Sequence, residues 1–269
     1  AITSGGTNTS LGNYSLQNAT TGSSNVAIGM EALQANTTAS NNTAVGYKAL
    51  EANTTGTENV AVGGYALTND TTGGNTAVGY KALTTNTTGD YVTAMGYNAL
   101  ELNTTGSKNT SFGYKSLEDN TTASFNTAVG YIALNSNTTG AENTAVGANA
   151  LTSNSTGDYN VAMGVNALED NTGSNNTAIG YKALLENTTG ASNVAIGYYA
   201  LLSNTTGTKN IAIGYAALDA ATTVDWNVAI GYNALTACTG AQNVAVGGAA
   251  LEDCTTGEYN AAFGMEAGR

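Results

Sequence analysis

A repeat of 16 or 17 residues runs through nearly the whole chain and constrains the fold more than any other feature. The stretch NTAVGYKAL stands at residues 42–50 and again at 75–83, and close variants surround both copies. Each unit has one glycine directly after a large apolar residue, which we call the marker glycine. The marker glycines are Gly12, Gly29, Gly46, Gly63, Gly79, Gly96, Gly113, Gly130, Gly147, Gly164, Gly180, Gly197, Gly214, Gly231, Gly247 and Gly264. Such self-similarity predicts an array of stacked structural units.

Each unit contains the pattern of a short β-strand followed by the pattern of a turn. Thr or Val stands three residues before nearly every marker glycine, Ala or Ser two before it, and a large apolar residue directly before it. β-Branched residues in such alternation favour a strand. The three shorter units each lose their residue in the Thr-Gly stretch, at 71–75, 171–176 and 238–243. Tolerance of deletion is typical of a surface turn.

A leucine stands four residues after the marker glycine in every complete unit, and a row of such leucines predicts the core. The segment around it is too short to be a stable helix. One unit cannot bury its own apolar face, whereas stacked coils can. We therefore predict an all-β fold, a parallel β-solenoid (β-roll) of about sixteen 16–17-residue coils, as a single repeat domain over residues 1–269. The predicted core leucines include Leu33, Leu50, Leu67, Leu83, Leu100, Leu117 and Leu134.

Two asparagine rows are expected to join the coils. The first row stands four residues before the marker glycine, and the second row stands seven residues after it, as at Asn36, Asn53, Asn86 and Asn103. Side-chain amides in register hydrogen-bond from coil to coil. The inter-coil ladder of the first row is predicted at Asn25, Asn42, Asn59, Asn75, Asn109, Asn126 and Asn143.

The alanine row two residues before the marker glycine has two interpretations. If the β-branched and large residues of the strand face the interior, the other face carries only small groups, as at Ala44, Ala77 and Ala128. A face of this kind suits close packing against another chain, and we favour that interpretation. The alternative is that small residues fit a narrow coil interior.

Tyrosine follows the marker glycine in nine units. A stacked tyrosine row is a possible glycan-contact stripe, but an amphipathic ring between core and solvent is its more common meaning. The row consists of Tyr47, Tyr80, Tyr97, Tyr114, Tyr131, Tyr181, Tyr198, Tyr215 and Tyr232.

The two cysteines, Cys238 and Cys254, occupy positions of the second asparagine row in neighbouring coils. Neighbouring coils are expected about 4.8 Å apart, and this spacing is compatible with a disulfide. A possible disulfide is therefore predicted for an oxidising environment, within one chain or between chains. No metal site is expected, because the chain has no histidine and no further cysteine.

Composition excludes several functions. A balance of 7 Lys and Arg against 19 Asp and Glu gives a net charge of −12, which argues against nucleic acid as a partner. No apolar run is long enough for membrane insertion by this segment. Without histidine, Ser-His-Asp and Cys-His catalysis are excluded, and no phosphate-binding loop is present. We expect no enzyme activity and no cofactor. The aperiodic stretch DAATTVDW at 219–226, with the only tryptophan, is either a turn variant or a recognition segment.

The strings NVAIG (25–29 and 193–197), NIAIG (210–214) and NVAVG (59–63 and 243–247) resemble the repeats in the heads of YadA-like trimeric autotransporter adhesins. Longer units such as NTAVGYKALxxNTTG resemble those of bacteriophage and large-virus tail-fibre proteins. The resemblance implies a left-handed β-roll, assembled as a homotrimer, in an extracellular fibre of a cell surface or virion. It also implies a host surface receptor or glycan as the partner. Adhesin and tail fibre both stay open, because this unit is longer than the adhesin unit.

We therefore expect a non-catalytic shaft or head segment of an attachment fibre, joined end to end with further segments. One alternative is an ice-binding β-solenoid, because threonine pairs such as Thr54-Thr55 and Thr87-Thr88 recur in register. The other alternative is a fibre module that binds or depolymerises glycans.

Overall fold

A computed structural model describes residues 5–269, which contain sixteen three-residue strands and no helix. Every strand ends directly before a marker glycine, and the strands form a parallel sheet in chain order. All-β architecture and the β-solenoid are thereby confirmed. The strands are β1 (Thr9–Leu11), β2 (Val26–Ile28), β3 (Thr43–Val45), β4 (Val60–Val62), β5 (Thr76–Val78), β6 (Thr93–Met95), β7 (Thr110–Phe112), β8 (Thr127–Val129), β9 (Thr144–Val146), β10 (Val161–Met163), β11 (Thr177–Ile179), β12 (Val194–Ile196), β13 (Ile211–Ile213), β14 (Val228–Ile230), β15 (Val244–Val246) and β16 (Ala261–Phe263).

The chain divides into two compact units, Ala1–Thr139 and Gly140–Arg269. The first unit contains β1–β8 and the second contains β9–β16. In each unit, successive strands pair with like positions opposite each other. Ala44 pairs with Ala61 in the first unit, and Ala195 pairs with Ala212 in the second. Because the repeat length sets this register, each sequence position becomes a row of side chains within its unit.

The alanine row lies inside the solenoid, so the favoured prediction of an alanine face between chains is wrong. Ala44, Ala77 and Ala128 have no exposed surface. The strand residues on either side of each alanine point outward instead and are half-buried or exposed. The interior beside the strand accepts only small side chains, alanine and the fully buried Ser111, which is the alternative interpretation.

The predicted leucine core is confirmed in both units. From Leu33 to Leu235 every leucine of the row is fully buried, and each has a left-handed backbone, with φ of 49° at Leu33. This conformation costs about 1–2 kcal/mol for a residue with a Cβ. Inter-coil hydrogen bonds accompany it, because the Leu33 N–H donates to the Ala49 carbonyl at 3.0 Å. Burial of the leucine side chain adds about 1.5–3 kcal/mol of stabilisation.

The marker glycine is required by both conformation and space. Gly63 has φ of 136°, and a Cβ there would lie 2.3 Å from the carbonyl oxygen of Gly79 in the next coil. Real Cβ atoms do not approach a backbone oxygen so closely. The marker glycines therefore allow successive coils to stack in register at this corner.

Candidate binding surfaces

The outward face of the sheet is largely apolar and carries no charge. It is formed by the first and third residues of each strand, which are Thr, Val, Ile, Leu, Met, Phe or Ala in all sixteen strands. In the single chain the side chain of Ile179 is 37% exposed, and Phe112 and Met163 are more exposed still. We call this surface the outer strand face. An exposed, uncharged and largely apolar face is typical of an interaction surface.

The tyrosine row forms two stacks, one in each unit. From Tyr80 to Tyr131, successive ring centroids lie 5.3–5.5 Å apart with interplanar angles of 8–21°. The stack from Tyr181 to Tyr232 has centroid distances of 5.1–5.3 Å. Within a stack the rings therefore cover each other's faces, and their edges face solvent. This geometry favours the amphipathic interpretation over sugar stacking on the ring faces.

The first asparagine row joins the coils through the backbone. The Asn42 N–H donates to Asn25 Oδ1 at 3.0 Å, and the Asn59 N–H donates to Asn42 Oδ1 at 2.9 Å. The Asn42 Nδ2 donates to the Gly56 carbonyl of the next coil at 2.9 Å. The same pattern recurs in the second unit, where the Asn193 N–H donates to Asn176 Oδ1. These asparagines are fully buried, so they hold the coils together and are not open to a ligand.

The second asparagine row is a direct amide ladder. Asn103 Nδ2 donates to Asn86 Oδ1 at 2.8 Å, and Asn120 Nδ2 donates to Asn103 Oδ1 at 2.8 Å. In the second unit the ladder runs from Asn171 to Asn204, and Asn204 Oδ1 is buried without a hydrogen-bond partner. The next coil has Ala221 at this position, and an alanine has no amide to donate.

Asp70 replaces an asparagine of the second row, and it is a buried carboxyl group whose pKa is changed by its surroundings. It has no exposed surface. Asn86 Nδ2 donates to Asp70 Oδ1 at 2.7 Å, and Thr72 Oγ1 donates to the same oxygen at 2.9 Å. Burial nevertheless raises the pKa of Asp70 to about 6, against the opposing effect of these hydrogen bonds.

Cys238 and Cys254 lie together, as their shared row position predicted, but the possible disulfide is not formed in this structure. Both are free thiols, and their Sγ atoms are 4.0 Å apart. Burial raises the pKa of Cys238 to about 11, so its thiol is protonated at neutral pH. The neighbouring sulfurs need only a small side-chain movement to bond.

The first threonine of most turn pairs is part of the inter-coil bonding. Thr104 Oγ1 donates to the Thr121 carbonyl at 2.9 Å, and Thr205 Oγ1 donates to the Thr222 carbonyl at 3.0 Å. These hydroxyls are thus committed to the backbone of the next coil. They form a structural row, and no regular array of unengaged hydroxyls results from them.

A row that sequence reasoning missed stands five residues before the marker glycine, and we call it the alternating row. It carries an exposed aromatic side chain at Tyr91, Phe125, Tyr159, Trp226 and Tyr259. Lys108, Glu142 and Gln242 are among the polar residues that stand between them. The sequence carries an aromatic residue at every second repeat from Tyr91 to Tyr159 and again at Trp226 and Tyr259, with Ser192 interrupting the alternation, but only Trp226 had been singled out.

Backbone hydrogen bonds to the preceding coil hold Phe125, Tyr159 and Trp226 of the alternating row in position. Its residues have left-handed φ, with 54° at Tyr91 and 63° at Phe125. The Phe125 N–H donates to the Ser107 carbonyl of the preceding coil at 3.2 Å, and the Trp226 N–H donates to the Thr208 carbonyl at 3.1 Å. The aromatic side chains therefore project from an ordered backbone.

A shallow notch of about 240 Å³ opens beside Tyr91. It lies where the first of the shorter units places Gly73 and Gly74, and it is also lined by Glu58, Asp90 and Tyr91. A Cβ on Gly74 would lie 3.1 Å from the Tyr91 ring. The paired glycines thus leave room for the notch and for the ring.

Within residues 5–269 no group of three or more His, Cys, Asp and Glu has the arrangement of a metal site. Over the same residues, no helix could span a membrane. A comparison of the chain with models of known protein families and with curated proteins finds no match.

Proposed function

We propose that this chain is a non-catalytic structural segment of an extracellular attachment fibre, assembled as a homotrimer through its outer strand face. The uncharged outer strand face is the observation that carries the proposal. The chain has 19 acidic and 7 basic residues, yet none of them lies in a strand. The surfaces of soluble proteins normally carry interspersed charges and no large apolar patch, and the absence of charge here favours a covered face.

Other copies of the same chain are the occupant that the repeat favours. The outer strand face presents the same residue types in every coil of each unit. Two copies therefore meet with like chemistry along their whole length, as association of identical subunits requires. The number of three chains follows from the resemblance to YadA-like adhesin heads and tail fibres, and so does the left hand of the coil.

The repetition of the sequence fits a shaft or head better than a catalytic domain. Copying a coil extends a solenoid without changing its cross-section. The buried side-chain rows bond coil to coil and give each unit its own cohesion. In the fibre this segment holds a surface or receptor contact away from the base, with further segments joined end to end.

The solution mass tests the proposal. We expect light scattering to give three times the chain mass of 26.9 kDa at micromolar concentration. Lysines introduced together at Ile179 and Ile213 on the outer strand face (Ile179→Lys and Ile213→Lys) are expected to release monomers. Leu102→Lys is the control, because Leu102 is 42% exposed but lies outside the strands. A wild-type protein that is monomeric, or a trimer that tolerates both lysines, would contradict the assembly.

A further inference from the structure

We infer that the alternating row binds an extended, neutral, β-1,4-linked polysaccharide, whose sugar rings pack on the aromatic side chains of alternate coils. This inference deepens the proposed attachment function by naming the chemical class of the surface that is bound. Its site lies within single chains, so it can be tested apart from trimer formation.

Ring exposure is the first observation. Tyr91 is 66% exposed, Phe125 and Trp226 are each 55% exposed, and Tyr259 is 74% exposed. Large aromatic side chains are usually buried or at interfaces. Phe125 and Trp226 expose their rings on a backbone that inter-coil hydrogen bonds hold in position, so little backbone entropy is lost when a ligand packs on them.

The spacing of the rings is the second observation. Tyr91 and Phe125 are two coils apart in the first unit, and Trp226 and Tyr259 are two coils apart in the second. Two coils correspond to about 10 Å. In an extended β-1,4-linked chain alternate sugars present the same face, and the disaccharide repeat has a similar length. Alternate coils and alternate sugars therefore stay in register.

The polar neighbours of the rings are the third observation. An acidic residue directly precedes four of the five rings, at Asp90, Asp158, Asp225 and Glu258. One oxygen of Asp158 and one oxygen of Asp225 accept a backbone N–H of the preceding coil. A carboxylate has two oxygens, so the second one can accept from a sugar hydroxyl, and charged acceptors form the stronger bonds. The net charge of −12 disfavours an anionic polysaccharide, which makes a neutral one the better match.

Lysines on the intervening coils orient two of the rings. Lys108 Nζ lies 4.9 Å from the centroid of Phe125, and Lys209 Nζ lies 4.3 Å from that of Trp226. A cation over one face of a ring is favourable and leaves the other face for the sugar. The same lysine–aromatic pair thus occurs once in each unit.

The notch beside Tyr91 extends the row in the first unit. Its volume of about 240 Å³ is below that of pockets for drug-sized ligands, about 300–1,000 Å³, and suits a single sugar ring. Tyr91 supplies an aromatic wall, and Glu58 and Asp90 supply hydrogen-bond acceptors.

Trp226 gives a direct readout, because it is the only tryptophan of the chain. We expect cellohexaose or chitohexaose to shift its fluorescence emission, whereas maltohexaose, an α-linked chain that coils, leaves it unchanged. Unchanged emission at millimolar concentrations of both β-linked hexasaccharides overturns the inference. An equal shift with all three sugars overturns the β-1,4 assignment.

Two variants, each compared with the wild type, locate the site. The first carries Tyr91→Ala, Phe125→Ala, Trp226→Ala and Tyr259→Ala together, and its retention on insoluble cellulose or chitin is expected to weaken at least tenfold. The control carries Tyr97→Ala with Tyr131→Ala in the tyrosine row and is expected to be retained like the wild type. Equal retention of all three proteins overturns the inference. If the wild-type protein is monomeric and a β-linked sugar still shifts the Trp226 emission, the proposed trimer is contradicted and this inference is supported.

Discussion

Asn86 Nδ2 donates to Asp70 Oδ1 at 2.7 Å in a fully buried row that elsewhere consists mainly of asparagines. An asparagine at this position both accepts from one coil and donates to the other. An ionised carboxylate only accepts, and its charge is buried. The single change from amide to carboxyl therefore introduces pH dependence into one coil of the first unit.

We expect Asp70→Asn to stabilise the protein at pH 7 and not below pH 4. The folded state raises the pKa of Asp70 to about 6, against about 3.9 in the unfolded chain. The folded state therefore binds the extra proton, and stability is lost as pH rises from about 4 through 6. Replacement should recover about 1–3 kcal/mol at pH 7, measured by denaturant unfolding. The exposed Asp253→Asn is the control, and an equal gain for Asp70→Asn at pH 3.5 and pH 7 would exclude ionisation as the cause.

Ala221→Asn is expected to stabilise the second unit. Its amide would donate to Asn204 Oδ1, which is buried without a partner, and satisfying such an atom contributes about 1 kcal/mol. Denaturant unfolding measures the gain. Ala220→Asn, at the exposed neighbouring residue, should give none. A loss of stability with Ala221→Asn would mean that this coil is too narrow for the amide.

Gly63→Ala and Gly64→Ala are expected to differ greatly although the two glycines are adjacent. A Cβ on Gly63 would meet the Gly79 carbonyl oxygen at 2.3 Å with φ of 136°, whereas a Cβ on Gly64 has its nearest neighbour, a Tyr80 ring atom, at 3.5 Å. The first change should cost at least about 3 kcal/mol, and the second should stay within about 0.5 kcal/mol. Thermal unfolding compares them, and similar midpoints would refute the close stacking of coils at this corner.

Oxidation is expected to join Cys238 and Cys254 within one chain. The Sγ atoms are 4.0 Å apart, and closing a loop of this length stabilises by about 3 kcal/mol. Because burial raises the pKa of Cys238 to about 11, the reaction should accelerate as pH rises toward that value. Mass spectrometry after diamide treatment detects the bond, with Cys238→Ser as the control. Cross-linked dimers on a non-reducing gel would instead place the pair between chains.

The strand pattern, the leucine core and the asparagine rows were predictable, because each repeats at one position of the unit. Leu50 and Asn42 are buried in their coils as the repeat implied. The amide-to-backbone bonding of the first asparagine row was not predictable, because it depends on how the Gly56 carbonyl of the next coil is oriented. The alternating row escaped notice because its signal is an alternation between units.

The sequence by itself determined the coil length, the parallel register and the side chains that form each row. Only the tertiary structure decided which side of the strand faces inward, because alternation is equally compatible with both. In this coil, the interior beside the strand is too narrow for the side chain of valine or isoleucine. The left-handed leucines and the close approach of the marker glycines are features of the same narrow coil. Ala44 therefore lies inside and Val45 outside. That choice leaves the larger apolar residues on the surface, where we propose that further copies of the chain cover them.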